Sequence, residues 1–367
     1  MRLLMLSWRD INNPNKGGAE VYTYEILKRL VKKGHKITWF AASWPGCKEK
    51  EVIDGIEIIR RGSFFSVYLK SYKYYKIDFK GKFDLIIDQI NTVPFFTPLF
   101  IKEKKIALIF QLARELWFKE TTFPINIAGY LTEPFYLSLY KKQKMITISE
   151  STKQELLKLG LKDVNIIPVG LSIKSLNAVP KKDKRFRILY IGRLKKSKGV
   201  HDIIKALRIV RETIKDAKLD IVGRGDYEIK LKRLVGKLGL KKYVKFHGFV
   251  SEEKKNELMK SSHVICAASK REGWGMIVTE ANALGTPAIV YNSPGLRDAV
   301  KDGYNGLITK KNDPLGISDC IISLHKNKQK YLKMCSNSLK YAAEFNWETA
   351  AKLFEEVIKN EFIKKNV

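Results

Sequence analysis

The sequence predicts an α/β protein made of two doubly wound parallel-sheet domains, and three features predict it. Short β-rich runs alternate with amphipathic helical runs along most of the chain, the rhythm of strand–helix–strand units in parallel sheets. That rhythm stops at a polar, basic stretch near residue 180 and then restarts. Glycine-containing segments follow several of the strand-like runs, where a doubly wound sheet opens its ligand crevice.

The first half supplies the strand-like runs RLLMLSW, HKITWFAA, GIEIIRR, FDLIIDQ, KIALIFQ, KMITISE and VNIIPVG. A helix is predicted from about Ala19 to Lys33, with Tyr24, Leu27, Leu30 and Val31 on one stripe toward the sheet. NAVPKKDKR then reads as a linker. The second half supplies FRILYIGR, a helix from about Gly199 to Lys215, KLDIVGRG, YVKFHGF, HVICAAS and TPAIVYN. The last run, WETAAKLFEEVIKNEFIKK, is a long amphipathic helix. These runs give domains at 1–176 and 181–345, whose strand ends are expected to face one another across a cleft lined by the motifs.

Length and composition agree with this reading. A chain of 367 residues with 45% hydrophobic and 11% aromatic content can bury two full cores. Lys and Arg total 69 against 38 Asp and Glu, a net charge of +31. That charge attracts nucleic acids, anionic lipids and phosphorylated substrates without choosing among them. The four cysteines (Cys47, Cys266, Cys320 and Cys335) lie far apart with no C-x-x-C spacing, which points to a reducing cytosol and no structural zinc. The opening MRLLMLSWRD has too short an apolar core for a secretory signal. No apolar run reaches the length of a membrane span, so the protein is expected to be soluble or to lie on a membrane surface.

Five segments carry candidate chemistry. SWRDINNPNKGGAE, residues 7–20, ends in Gly17-Gly18 just before the first helix, where a backbone without Cβ can approach a phosphate or sugar at a helix N-terminus. YIGRLKKSKGV ends a strand at Gly192 and places Arg193 and Lys198 ahead of the next helix. Arg grips two oxygens and Lys acts as a point charge, a clamp for a diphosphate that gains charge as it leaves. DIVGRGD brings Gly223 and Gly225 to the end of another strand, either as a wall of a nucleotide site or as an ordinary strand-to-helix turn. His247 in KFHGFVS is equally a core histidine or a ligand contact.

KREGWGMIVTEAN, residues 270–282, sets Glu272 and Glu280 eight positions apart. Glu272 is expected in the loop beyond a buried strand, and Glu280 about one turn into a helix closed by Gly285, leaning back toward the helix start. Backbone N–H groups around Gly273, Trp274, Gly275, Met276 and Ile277 suit a phosphate. A carboxylate accepts from two hydroxyls of one sugar, so one glutamate for a hexose and one for a ribose accounts for the spacing. Gly-Trp-Gly in such a loop is read here as having no core purpose.

Taken together these residues resemble glycosyltransferase family 4, retaining enzymes of the GT-B fold, which has two Rossmann-like domains. The resemblance runs through GGAE at 17–20, TISEST at 147–152, IGRLKKSKG at 191–199, the E-x7-E motif from Glu272 to Glu280, GTPAIVYNSPGLRDAV at 285–300 and DGYNGLI at 302–308. It implies a nucleotide-sugar donor, a UDP- or GDP-sugar, with no other cofactor and no metal. Arg193 and Lys198 would hold the diphosphate, Glu272 the sugar hydroxyls and Glu280 the ribose, while Gly18 would meet the phosphate from the other domain. It also implies that the last helix, 346–367, crosses back to the first domain. Relatives carry a histidine near the donor sugar where this chain has Phe110 and Gln111; Gln111 can hydrogen-bond a sugar but cannot take a proton.

Residues 60–83 interleave Lys70, Lys73, Lys76 and Lys80 with Phe65, Tyr68, Tyr72 and Tyr75. Such a stretch either lies on an anionic membrane or packs on the sheet with a solvated basic face. The membrane reading brings a lipid-linked acceptor and a place on the inner face of the membrane. Two other classes compete with the transferase: a glycoside hydrolase using Glu272 and Glu280 as acid and base, and a nucleic-acid-binding protein driven by charge. No DNA-reading motif supports the latter, and nucleic acid is not an expected partner.

Overall fold

The computed structural model describes residues 1–363; the end of the predicted last helix, residues 364–367, lies outside the described residues. The chain divides into two compact units, residues 1–170 with 346–367 and residues 171–345. Residues 171–176, expected with the first half, therefore belong to the second unit. Leu176 N–H donates to Ala283 O at 2.9 Å, and farther along Asp183 N–H donates to Ser261 O at 3.0 Å. The stretch read as a linker is thus fastened to the second unit by backbone hydrogen bonds.

The first unit holds strands β1 (Arg2–Leu6), β2 (Lys36–Ala41), β3 (Lys50–Ile53), β4 (Ile56–Arg60), β5 (Leu85–Ile90), β6 (Lys104–Ile109), β7 (Lys144–Thr147) and β8 (Val164–Ile166). They form one sheet in the order β3-β4-β2-β1-β5-β6-β7-β8, parallel except for the β3–β4 pair. Central strands read as near-continuous apolar runs because both faces are covered; Leu3, Leu4, Met5 and Leu6 of β1 are all buried. β3, which the sequence did not announce, is an edge strand whose side chains alternate between exposed and half-buried.

The first helix spans Gly18–Lys32, but its buried stripe corrects the expected one. Tyr22, Ile26, Leu27 and Leu30 are buried, whereas Tyr24 and Val31 are only partly so. The reason is a second partner: Tyr22 packs between Phe110 (5.3 Å) and Trp347 (5.7 Å). Trp347 opens the helix Trp347–Ile363, which lies along the first helix through Arg29–Glu348 (2.7 Å) and Lys33–Glu355 (2.8 Å). A Cβ on Gly170 would fall 2.4 Å from the Trp347 ring, so this seat requires glycine there.

Residues 60–83 do not form one basic helix. Arg60 ends β4 and is buried; the helix proper is Val67–Tyr74, followed by a wider π-helical turn over Tyr75–Phe79. Val67, Ser71, Tyr75 and Phe79 face inward, while Phe65, Leu69, Tyr72, Lys70, Lys73, Lys76 and Lys80 are exposed.

The second unit holds β9 (Arg187–Ile191), β10 (Lys218–Val222), β11 (Val244–Gly248), β12 (Val264–Ala267), β13 (Ala288–Val290) and β14 (Gly306–Ile308). Their order, β11-β10-β9-β12-β13-β14, is wholly parallel. Counted within the unit it is 3-2-1-4-5-6, the doubly wound dinucleotide-binding order, whose ligand crevice opens where the order reverses. Here the reversal falls between β9 and β12. β14 lies within a segment that entered the sequence reading only as a family motif.

Candidate active site

The loops after β9 and β12 flank that reversal in the second unit. Gly192, just past β9, has φ 152°, and its N–H donates to Val222 O at 3.0 Å. Gly223 (φ 124°) lies so close that an added Cβ would sit 2.0 Å from Gly192 O. Gly225 is equally constrained, 2.3 Å from Leu194 O. These glycines let neighbouring loop backbones touch, so loop stacking is reason enough for Gly223. His247 belongs to the core, with Nε2 2.6 Å from Asp220 Oδ1, and Asp220 also binds Arg187 at 2.8 Å.

Beyond Gly192, the Tyr190 hydroxyl donates to Arg193 O at 3.0 Å, and the Arg193 side chain is exposed. A short 3-10 turn, Lys196–Lys198, ends at Gly199 with φ 67°, where a Cβ would lie 2.2 Å from Ala268 O. Lys270 N–H donates to Ser197 O at 3.2 Å. This seam docks the β9 loop on the β12 loop and brings Lys198 to Glu272, Nζ to Oε1, at 2.6 Å.

Glu272 is fixed from several sides. Ser269 Oγ donates to the same Oε1 at 2.7 Å, and Ser293 Oγ donates to Ser269 O at 2.7 Å. Glu272 N–H donates to Pro294 O at 3.0 Å, and Gly295 (φ 81°) passes so close that its Cβ would lie 2.0 Å from Glu272 O. Ser269 is a site residue that sequence reading missed; a serine three residues before a glutamate carries no signal of its own.

Gly275 (φ 99°) starts the helix Met276–Ala283 with no side-chain cap. Gly273, Met276 and Ile277 are half-buried around this N-terminus, which carries the positive end of the helix dipole. Trp274 corrects the expectation that Gly-Trp-Gly has no core purpose: its ring is buried and packs on Phe345 at 5.5 Å. Glu280 sits in the second turn and meets Lys255 Nζ at 3.1 Å. Burial pushes the Glu280 carboxyl above its ordinary value, against the opposing charge of Lys255. The two glutamates are thus each matched to a separate lysine, an arrangement unlike a carboxylate pair sharing one glycosidic bond.

In the first unit, Gly17 is the N-cap of Gly18–Lys32, and its N–H donates to Glu20 Oε2 at 2.6 Å, a glutamate at the third helical position reaching back. Gln111 lies just beyond β6 with its Oε1 buried and unpartnered among the described residues; Phe110 beside it is core. The loop after β1 is tied down by a pair the sequence did not reveal. Arg60 Nε and Nη2 donate to Asp10 Oδ2 and Oδ1 at 2.6 and 2.8 Å, both residues being buried. Arginine closing the strand-like run IEIIR was the available sign, since a buried guanidinium requires a partner.

Two family models cover almost the entire chain: Glycosyltransferase Family 4 matches residues 16–175, and Glycosyl transferases group 1 matches residues 173–342. The chain belongs to the family 4, group 1 glycosyltransferases. It is similar to an uncharacterised glycosyltransferase of Methanocaldococcus jannaschii, 27% identical over 94% of this chain and 95% of the relative. It is also similar to phosphatidyl-myo-inositol mannosyltransferase of Mycobacterium leprae, 29% identical over 50% of each chain. Among solved structures, sucrose-phosphate synthase of Thermosynechococcus elongatus superposes with TM-score 0.80 at 18% identity, covering 99% of this chain and all of that one. WaaG, a glycosyltransferase involved in lipopolysaccharide biosynthesis, gives TM-score 0.77 at 16% identity over 97% and 99%. This glycosyltransferase therefore has the GT-B fold. None of its described helices is long and apolar enough to cross a membrane.

Proposed function

We propose that this glycosyltransferase moves a hexosyl group from a UDP- or GDP-sugar to an acceptor hydroxyl with retention of anomeric configuration. The observation that carries the reading is the Lys198–Glu272 contact beside Arg193 at the strand-order reversal of the second unit. A cation and a carboxylate side by side match a ligand that presents phosphate next to sugar hydroxyls. In this reading Arg193 and Lys198 take the diphosphate, in place of a divalent metal ion, and stabilise the charge it gains on leaving. Glu272, held by Ser269, accepts from the donor sugar, and Glu280 accepts from the ribose. Gly192, Gly223, Gly273, Trp274, Gly275, Met276 and Ile277 shape the backbone around the donor. Gln111 cannot accept a proton, so the departing phosphate is left to help deprotonate the acceptor on the same face of the sugar.

Thermal-shift measurements against UDP-, GDP- and ADP-sugars test the donor, because a ligand bound only by the native state raises the melting temperature. The expected result is a rise with one nucleotide series, retained when divalent ions are chelated, and a product whose anomeric signal by NMR matches that of the donor. An inverted product, or no shift with any of the three, overturns the reading.

The acceptor side of the reading rests on the first unit. Most exposed large apolar side chains among the described residues fall between residues 64 and 139: Phe65, Leu69 and Ile77 beside the helix lysines, Leu99, and Phe123, Ile127, Leu131 and Phe135 on and before the helix Ile125–Ser138. Ring contacts Tyr68–Phe95, Tyr72–Phe100 and Phe96–Tyr136 tie these segments together. Apolar side chains bordered by lysines suit the interface of an anionic bilayer, which favours a lipid-linked acceptor at the inner face of the membrane. Flotation with vesicles tests it: binding to vesicles containing anionic lipid and not to neutral ones is expected, and equal recovery without vesicles overturns it.

A further inference from the structure

Lys255 lies outside the motifs quoted above yet touches a carboxylate assigned to the donor. It belongs to the helix Glu252–Ser261, which precedes β12. Its ammonium bridges Glu280 Oε2 at 3.1 Å and Glu252 Oε2 at 2.6 Å. The Lys255 and Glu280 side chains are 16% and 18% exposed, whereas that of Glu252 is 72% exposed. Lys254, one residue away, instead pairs with Glu257 in solvent. No hydrogen bond to Glu280 Oε1 occurs among the described residues. One oxygen of the carboxylate is therefore held and the other is available.

We propose that Lys255 is a positioning residue of the nucleotide site: its contact with Oε2 fixes the Glu280 carboxylate so that Oε1 is presented to the ribose hydroxyls. The proposal rests on the reading of Glu280 as the ribose ligand. An ionised carboxylate accepts hydrogen bonds at both oxygens, whereas a protonated one uses part of that capacity to donate. Burial favours the protonated form of Glu280, Lys255 opposes this through charge and hydrogen bond, and Glu252 adds a weaker push toward protonation. Of the elements packed against the Glu280 helix, Glu252–Ser261 supplies both of these charged groups. Burial would lower the Lys255 ammonium, but Glu280 and Glu252 outweigh it and hold it above its ordinary value, so it remains cationic across the range in which the carboxylate titrates.

Calorimetric titration of the full-length protein with UDP, GDP and ADP, from mildly acidic to mildly alkaline pH, tests this. Lys255→Met is expected to weaken the binding nucleotide about tenfold at neutral pH, with the loss shrinking as pH rises and Glu280 ionises unaided. Lys255→Arg restores most of the affinity, and Glu252→Gln leaves it unchanged. Glu280→Gln weakens binding to a similar degree with no such pH dependence. Should Lys255→Met fail to fold, Lys255→Gln repeats the measurement. If Glu280→Gln weakens binding while the Lys255 variants bind like wild type at every pH, the positioning role is overturned and the ribose reading stands. If Glu280→Gln binds like wild type, or no nucleotide binds the wild type, the ribose reading itself fails and the role of Lys255 goes with it.

Discussion

Lys198 Nζ and Glu272 Oε1 lie 2.6 Å apart, joined across 74 residues of sequence. In the proposed reading, donor binding replaces this internal ion pair with a phosphate contact to Lys198 and sugar-hydroxyl hydrogen bonds to Glu272. Lys198→Ala and Glu272→Gln are each expected to cut kcat by about 10²–10³. Both side chains are partly exposed, so the pair contributes about 1 kcal/mol or less to stability. Steady-state transfer assays beside thermal melts check both halves; normal turnover in Lys198→Ala removes the assignment.

Gly223→Ala probes the stacked loops. A Cβ there would lie 2.0 Å from Gly192 O at a φ of 124°, a geometry in which a side chain costs about 1–3 kcal/mol in backbone strain alone. A lowered denaturation midpoint together with weaker nucleotide binding is expected, because Gly192 leads directly into Arg193. Unchanged stability would show that the two loops can separate freely.

Asp10→Ala leaves the buried Arg60 guanidinium without its main partner. Loss of one member of such a pair costs about 3–5 kcal/mol, and urea denaturation of the variant measures it. Glu51, which also pairs with Arg60, retains part of the compensation and places the result toward the lower end.

Glu355 links stability to acid pH. Lys33 and Lys359, with His35 behind them, pull its carboxyl from 4.5 down to about 2. A depressed carboxylate stabilises the fold above its unfolded value, and that contribution fades as pH falls from about 4.5 toward about 2. Melting temperature measured across this window should fall less steeply in Glu355→Gln than in wild type. Identical slopes would mean that the contacts to Lys33 and Lys359 persist on protonation.

Leu131→Glu combined with Phe135→Glu places two charges on an already exposed apolar helix face. Stability should change by less than about 0.5 kcal/mol, while flotation with anionic vesicles should be lost. Retained flotation would move any membrane contact to the lysines of residues 70–80.

Sequence patterning located most strands and the two glutamates because buried parallel strands and glycine turns are written locally. It failed where the deciding partner is remote. The stripe of the first helix is set by Trp347, so Tyr22 and Ile26 displaced the expected Tyr24 and Val31. Trp274 was read as having no core purpose because Phe345, on which it rests, lies 71 positions along (345 − 274). Lys255 could not be told from Lys254, since only the fold distinguishes the one facing Glu280. The lysine-rich run 60–83 gave no sign that its α-helix would be confined to Val67–Tyr74 and would widen into a π-helical turn at Tyr75–Phe79.

The helix Trp347–Ile363 completes the unit that the first 170 residues begin. During synthesis the groove beside Tyr22 and His35 must therefore wait, uncovered, while residues 171–345 emerge and fold as a body of their own. Trimming back to Trp347 would consequently injure the part of the molecule made earliest, and a nascent chain stalled before that point would offer chaperones a half-closed first unit next to a finished second one.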